Sequence, residues 1–169
     1  PLFLLLIFSN AQGTTFLVRP DGTGDFPTVQ AAIDAVASGD SIALTDGIFT
    51  GAGNRDIDFR GKAITVLSEN GDPTRSIIDC QGSASNLHRG FVFQSGESRS
   101  SLLQSVTIRR GWVLEEVFGG DGGGIRIVES SPTIQNCHIL ENRALYGGGI
   151  RIDAGSPAII ACRIAGNST

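Results

Sequence analysis

The chain has no methionine, three cysteines and few charges, with 13 Lys+Arg and 17 Asp+Glu among 169 residues. Without a methionine it is expected to be a piece of a longer translation product, truncated at its C-terminus. Charged residues at 18% against 40% apolar residues exclude a disordered, charge-solvated chain. A net charge of -4 leaves no basic excess to neutralise phosphates, so nucleic acid is not an expected partner. Cys80, Cys137 and Cys162 form no CxxC pair and are too few for a small secreted disulfide framework. His88 and His138 have no cysteine or carboxylate arrangement typical of a zinc site, so neither a metal nor a cofactor is expected. The longest apolar run, residues 1–8 (PLFLLLIF), is far shorter than the roughly 20 residues that span a bilayer. No transmembrane helix is expected.

That apolar run is followed by Ser9-Asn10-Ala11-Gln12, with Ser9 and Ala11 at the two small positions of a cleavage site. Residues 1–11 therefore read as a partial signal peptide. The mature chain is expected to start near Gln12 and to be secreted or held at the cell surface, the outer membrane included. Glycine is abundant at 23 residues, about twice average usage. It shows no three-residue period, which excludes collagen. Glycines mixed with many β-branched residues instead suggest short strands joined by tight turns.

An internal repeat organises the second half. Gly122-Gly123-Gly124-Ile125-Arg126-Ile127 recurs as Gly147-Gly148-Gly149-Ile150-Arg151-Ile152, a shift of 25, and residues 122–144 match 147–169 at 12 of 23 positions. At the same shift Ile134 meets Ile159, Cys137 meets Cys162, Ile139 meets Ile164 and Asn142 meets Asn167. Weaker echoes precede it: residues 103–108 parallel 134–139, and Phe91-Val92-Phe93 parallels Ile125-Arg126-Ile127. The apolar patches alternate with period two and are too short for helices, so each unit holds strands with one buried face. A unit of this size cannot bury that face alone and must stack on its neighbours.

The expected fold is therefore all-β, a right-handed parallel β-helix with one repeat per coil and about four coils. Equivalent residues would lie about 4.8 Å apart, building inward ladders Ile125/Ile150, Ile134/Ile159 and Ile139/Ile164. Cys137 and Cys162 would stack as buried thiols filling core volume rather than as a bridge. Asn142 and Asn167 would form an amide ladder, and the triple glycines would adopt positive φ at the corner before each strand. Val29, Ala32, Ile33 and Val36 lie at helical spacing within residues 27–36, so a short N-terminal helix is expected to cover the open end of the solenoid. The expected division is a cap and first coil over residues 12–60 and further coils over 61–169. Strands are expected near residues 16–18, 42–44, 64–67 and 77–78.

Asp21-Gly22-Thr23-Gly24-Asp25-Phe26, Thr28-Val29-Gln30-Ala31-Ala32-Ile33 and Gly39-Asp40-Ser41-Ile42 resemble the opening of pectin-lyase-fold proteins, including pectinesterases. The Gly-Gly-Gly-Ile units with Glu141-Asn142 and Gly166-Asn167 resemble the repeats of polymorphic outer membrane proteins, with Gly in place of Ala and Ile in place of Phe. Both resemblances imply a β-helix; one fold hosts many functions, so neither implies an activity. Pectinesterases of this type continue with Gly-x-Tyr-x-Glu, whereas this chain has Gly47-Ile48-Phe49-Thr50-Gly51 and loses the acidic residue. The Asn-Thr-Asp, Asp-Asp and Gly-His-Gly motifs of polygalacturonases do not occur.

No catalytic residue is therefore expected. Glycoside hydrolysis needs two positioned carboxylates, and the adjacent pair Glu115-Glu116 reads as part of a solvated loop. Arg109-Arg110 is the one basic pair that could serve a lyase. Residues 119–124 lack the Lys-Ser/Thr of a phosphate loop. The candidate binding residues are Arg126 and Arg151, which alternation sends outward between inward isoleucines. Stacked like charges destabilise a sheet unless offset. Glu129 or Asp153, solvent, or an anionic ligand such as an acidic polysaccharide or cell-surface glycan could provide that offset. The expected function is a non-catalytic adhesion, glycan-contact or structural solenoid. The alternative is the N-terminal part of a polysaccharide lyase or pectinesterase-like enzyme with its catalytic coils beyond residue 169.

Overall fold

A computed structural model describes residues 13–114 and 121–169. The leader-like residues 1–11 and the Glu115-Glu116 pair lie outside the described residues. Some 40% of the chain is strand and 5% helix, arranged as a parallel β-solenoid of about five turns.

β1 (Thr15–Val18) and α1 (Val29–Ala35) open the chain. The first coil carries β2 (Ser41–Leu44), β3 (Gly47–Phe49) and β4 (Ile57–Asp58), and the second β5 (Thr65–Ser68), β6 (Ser76–Asp79) and β7 (Phe91–Phe93). The third has β8 (Leu102–Gln104), β9 (Thr107–Arg109), β10 (Trp112–Val113) and β11 (Ile125–Val128). The fourth has β12 (Thr133–Gln135), β13 (His138–Leu140), β14 (Arg143–Ala144) and β15 (Ile150–Asp153), and the last described coil β16 (Ala158–Ile160) and β17 (Arg163–Ala165).

The first four coils each give one strand to each long face, and the last described coil gives strands to two of them. The faces run β1-β2-β5-β8-β12-β16, β3-β6-β9-β13-β17 and β4-β7-β11-β15, with β10-β14 as a short fourth pair. The register confirms the ladders. Ile42, Val66, Leu103, Ile134 and Ile159 form one column, and Phe49, Ile78, Ile108, Ile139 and Ile164 another. Ile57, Phe91, Ile125 and Ile150 form the third. Phe59, Phe91 and Phe93 pack together in the early coils, with Phe59 and Phe93 ring centroids 4.7 Å apart. Aromatic side chains thus fill the core of the early coils, and isoleucine fills the regular repeats.

Two expectations need correction. Ile159 and Ile164 face the column but are 39% and 49% exposed, and Cys162 is only half-buried, whereas Ile134, Ile139 and Cys137 are fully buried. β16 and β17 form the outermost described coil, so their inner side chains have a neighbour on one side only. The glycine triplets also divide their labour. Only the first of each has positive φ, Gly122 at 64° and Gly147 at 60°. The others are small because stacked backbones touch there: a Cβ on Gly124 would lie 2.5 Å from the Gly149 carbonyl oxygen.

The helix is shorter than its apolar spacing suggested. Thr28 caps it, accepting from Ala31 N through Oγ1 at 3.2 Å, and Val29, Ala32 and Ile33 are buried. It stops at Ala35 because Val36, the last residue of the apolar spacing, is extended. Lys62 Nζ then donates to the carbonyls of Ile33, Asp34 and Val36 at 2.6, 3.0 and 2.7 Å. A cation at a helix C-terminus satisfies orphan carbonyls and complements the helix dipole.

Candidate functional site

Arg126 and Arg151 are register partners on β11 and β15, flanked by isoleucines on the opposite side. Val92 and then Asp58 continue that outward row into the earlier coils. The two arginines are therefore one strand spacing apart, as expected, but their surroundings differ. Arg151 is paired: its Nε donates to Asp153 Oδ1 at 2.8 Å and Nη2 lies 2.7 Å from the same oxygen. Its Cζ sits 5.7 Å from the Tyr146 ring centroid. The Asp153 hydrogen bond holds its pKa above the usual guanidinium value.

Arg126 is partly buried, and its Nε is buried without any hydrogen-bond acceptor. Arg89, only 7% exposed, approaches from the coil below. Burial, then the charge of Arg126, pull the Arg89 pKa down, while Asp56 and Asp121 oppose the shift. The flank thus gathers Arg89, Arg126 and Arg151 with Asp56, Asp121 and Asp153, and local acids offset much of the repulsion. Arg126 is the member whose fork is incompletely satisfied.

The Arg109-Arg110 pair is committed elsewhere. Arg109 Nε donates to Asp79 Oδ2 at 3.0 Å, and Arg110 donates to both Asp79 oxygens at 2.7 and 2.6 Å. The Asp79 side chain is 1% exposed. Losing the arginines would strand the buried Asp79 carboxylate, so this triad holds a coil corner together and supplies no free base.

Two arrangements escaped the sequence reading. His88 Nδ1 lies 2.6 Å from Asp56 Oδ2 and its Nε2 3.1 Å from Asn86 Oδ1. Asp56 Oδ1 also accepts from Arg89 N at 2.9 Å. Both ring nitrogens are engaged, so His88 ties residues 86–89 to the first coil. The second is a groove of about 260 Å³ on the outward side of β6, β9, β13 and β17. Ile77, Thr107 and Leu140 line it with Arg109, His138 and Arg163. Glu141 supplies the only carboxylate among its lining residues, fewer than the two that glycoside hydrolysis requires. The signal for this groove was present: His138 and Arg163 hold one repeat position, each preceding an inward isoleucine.

Among the described residues no group of three or more His, Cys, Asp or Glu side chains gathers where a metal could bind. No helix there is long and apolar enough to cross a membrane. No protein-family model, curated protein or solved structure matches the chain.

Proposed function

We propose that this chain is an extracytoplasmic β-solenoid module that contacts acidic glycans along its arginine flank and performs no catalysis itself. The observation that carries the reading is Arg126, a stacked, half-covered guanidinium whose Nε has no acceptor. Partial burial of that guanidinium weakens competition from water, so a carboxylate meeting its exposed nitrogens gains more than at a fully solvated arginine. A carboxylate matches the planar fork of Arg best. A polymer bearing carboxylates can meet Arg126 and Arg151 on successive coils, about 4.8 Å apart.

The likeness of residues 21–42 to pectin-lyase-fold openings supports placing the chain among such solenoids. The Gly-Gly-Gly-Ile units support a relation to polymorphic outer membrane protein repeats. Residues 1–11, read as a partial export signal, support a secreted or cell-surface location, where glycans are met.

Calorimetric titration with uronic-acid oligosaccharides, at low and physiological salt, tests the proposal. Wild-type protein should bind, more weakly as salt rises, and the Arg126→Gln, Arg151→Gln double variant should lose binding. No binding to wild type, or equal binding to both, would reduce the flank to surface solubility.

A further inference from the structure

Cys137 and Cys162 occupy one position in consecutive coils, because the register pairs Gln135 with Ile160 and His138 with Arg163 on either side of them. Arg163 N donates to Cys137 O at 2.9 Å, which holds the two backbones at ladder spacing. Neighbouring strands lie about 4.8 Å apart, within the roughly 4.4–6.8 Å between Cα atoms that a disulfide accepts. The sulfurs share one strip of the core. Cys137 Sγ donates to Gln135 O at 3.3 Å, and Cys162 Sγ lies 3.4 Å from both Ile134 O and Ile160 O.

The neighbouring Cys162, with burial adding to it, pushes the Cys137 pKa up, and Cys137 pulls the Cys162 pKa down. Cys137 is enclosed, whereas Cys162 is half-buried and reachable from solvent. Cys80 stands apart, fully buried, its thiol pushed far up by burial.

We infer that Cys137 and Cys162 form an oxidisable pair that closes to a reversible bridge between consecutive coils by exchange with a small disulfide of the glutathione type. In the first step the Cys162 thiolate attacks one sulfur of the small disulfide. An S–S bond forms on Cys162, the small disulfide's S–S bond breaks, and one small thiolate leaves and takes up the proton Cys162 had released. In the second step Cys137 gives up its proton and attacks the Cys162 sulfur, expelling the second small thiol. Two protein thiols are oxidised to one disulfide while one small disulfide is reduced to two thiols. In-register parallel strands keep Cβ atoms nearer the strand spacing than the roughly 3.5–4.5 Å a relaxed bridge adopts. The bridge is therefore strained and readily reduced. This inference is independent of the glycan reading.

The test exposes the intact chain, reduced and desalted, to oxidised glutathione, then alkylates it in denaturant and weighs it. The expected product loses two of its three alkylatable thiols, is lighter by two hydrogens, and yields a peptide joining Cys137 to Cys162. Mild dithiothreitol should restore all three thiols. Cys137→Ser should stop at a lasting mixed disulfide on Cys162. Persistence of three thiols, glutathione retained on wild-type Cys162, or a bridge to Cys80 would overturn the inference.

Discussion

Asn142, 1% exposed at a coil corner, replaces partners that a continuous strand would have supplied. Its Nδ2 donates to Ile108 O at 3.1 Å and Asn167 Oδ1 at 3.0 Å, and its Oδ1 accepts from Gly111 N at 2.8 Å. Asn142→Ala strands a buried carbonyl and a buried amide, each worth about 1–3 kcal/mol. Urea unfolding should show a loss of at least about 2 kcal/mol on that basis; an unchanged midpoint would mean water reaches the corner. Other side chains give the fold its acid sensitivity. The Arg75 guanidinium holds the Asp46 carboxyl below its ordinary 3.8, the Thr74 hydroxyl does the same for Asp72, and the Thr23 amide for Asp21. These groups bind protons more readily when unfolded, so their contribution is complete above 3.8 and is lost as pH falls through the lower native values. Asp46→Asn should flatten the acid limb of a thermal-stability profile below that pH. An unaltered limb would show that the Arg75 pair is silent in stability.

At the scale of elements, the repeat was legible because period-two alternation and a fixed shift both survive in residues 122–169. The columns through Ile134 and Ile139 followed directly from that shift. The earlier coils were less legible for a physical reason. Excursions between strands, such as that between β6 and β7, change the spacing without disturbing the stacking, since only the strands must stay in register. The Asp56–His88 contact was missed because it joins residues from separate coils outside the repeat, which linear spacing does not report, whereas the groove's His138 and Arg163 share a repeat position. Position within a column also decides energetics. Ile134→Ala empties a closed site and should cost about 2–5 kcal/mol, whereas Ile159→Ala, at 39% exposure, should cost less than half as much. Equal losses in denaturant titrations would contradict the register. Gly124→Ala places a methyl against the Gly149 carbonyl at 2.5 Å, where backbone cannot yield easily. A penalty of about 2–3 kcal/mol is expected, in the range of overpacked cores. A neutral substitution would show that the coils can separate there.

On the scale of the whole molecule, the solenoid converts a repeat in sequence into a row in space. The cap helix closes one end, the inward columns supply cohesion, and the outward rows are free to vary from coil to coil. The row Asp58, Val92, Arg126, Arg151 shows that freedom: its charge changes along the axis while Ile57, Phe91, Ile125 and Ile150 stay apolar behind it. The arginine pair itself was legible from alternation alone. Its asymmetry was not, because it depends on Asp153 binding Arg151 and on burial around Arg126. That asymmetry is the most direct handle on the proposed function. The deciding measurement is the dissociation constant of one uronic-acid oligosaccharide for wild type, Arg126→Gln and Arg151→Gln, taken at one low salt concentration. Loss of a charge-assisted hydrogen bond at Arg126 should weaken binding about tenfold or more, and loss of the already neutralised Arg151 less than about threefold. Equal affinities for all three proteins, or a larger loss at Arg151, would contradict the account.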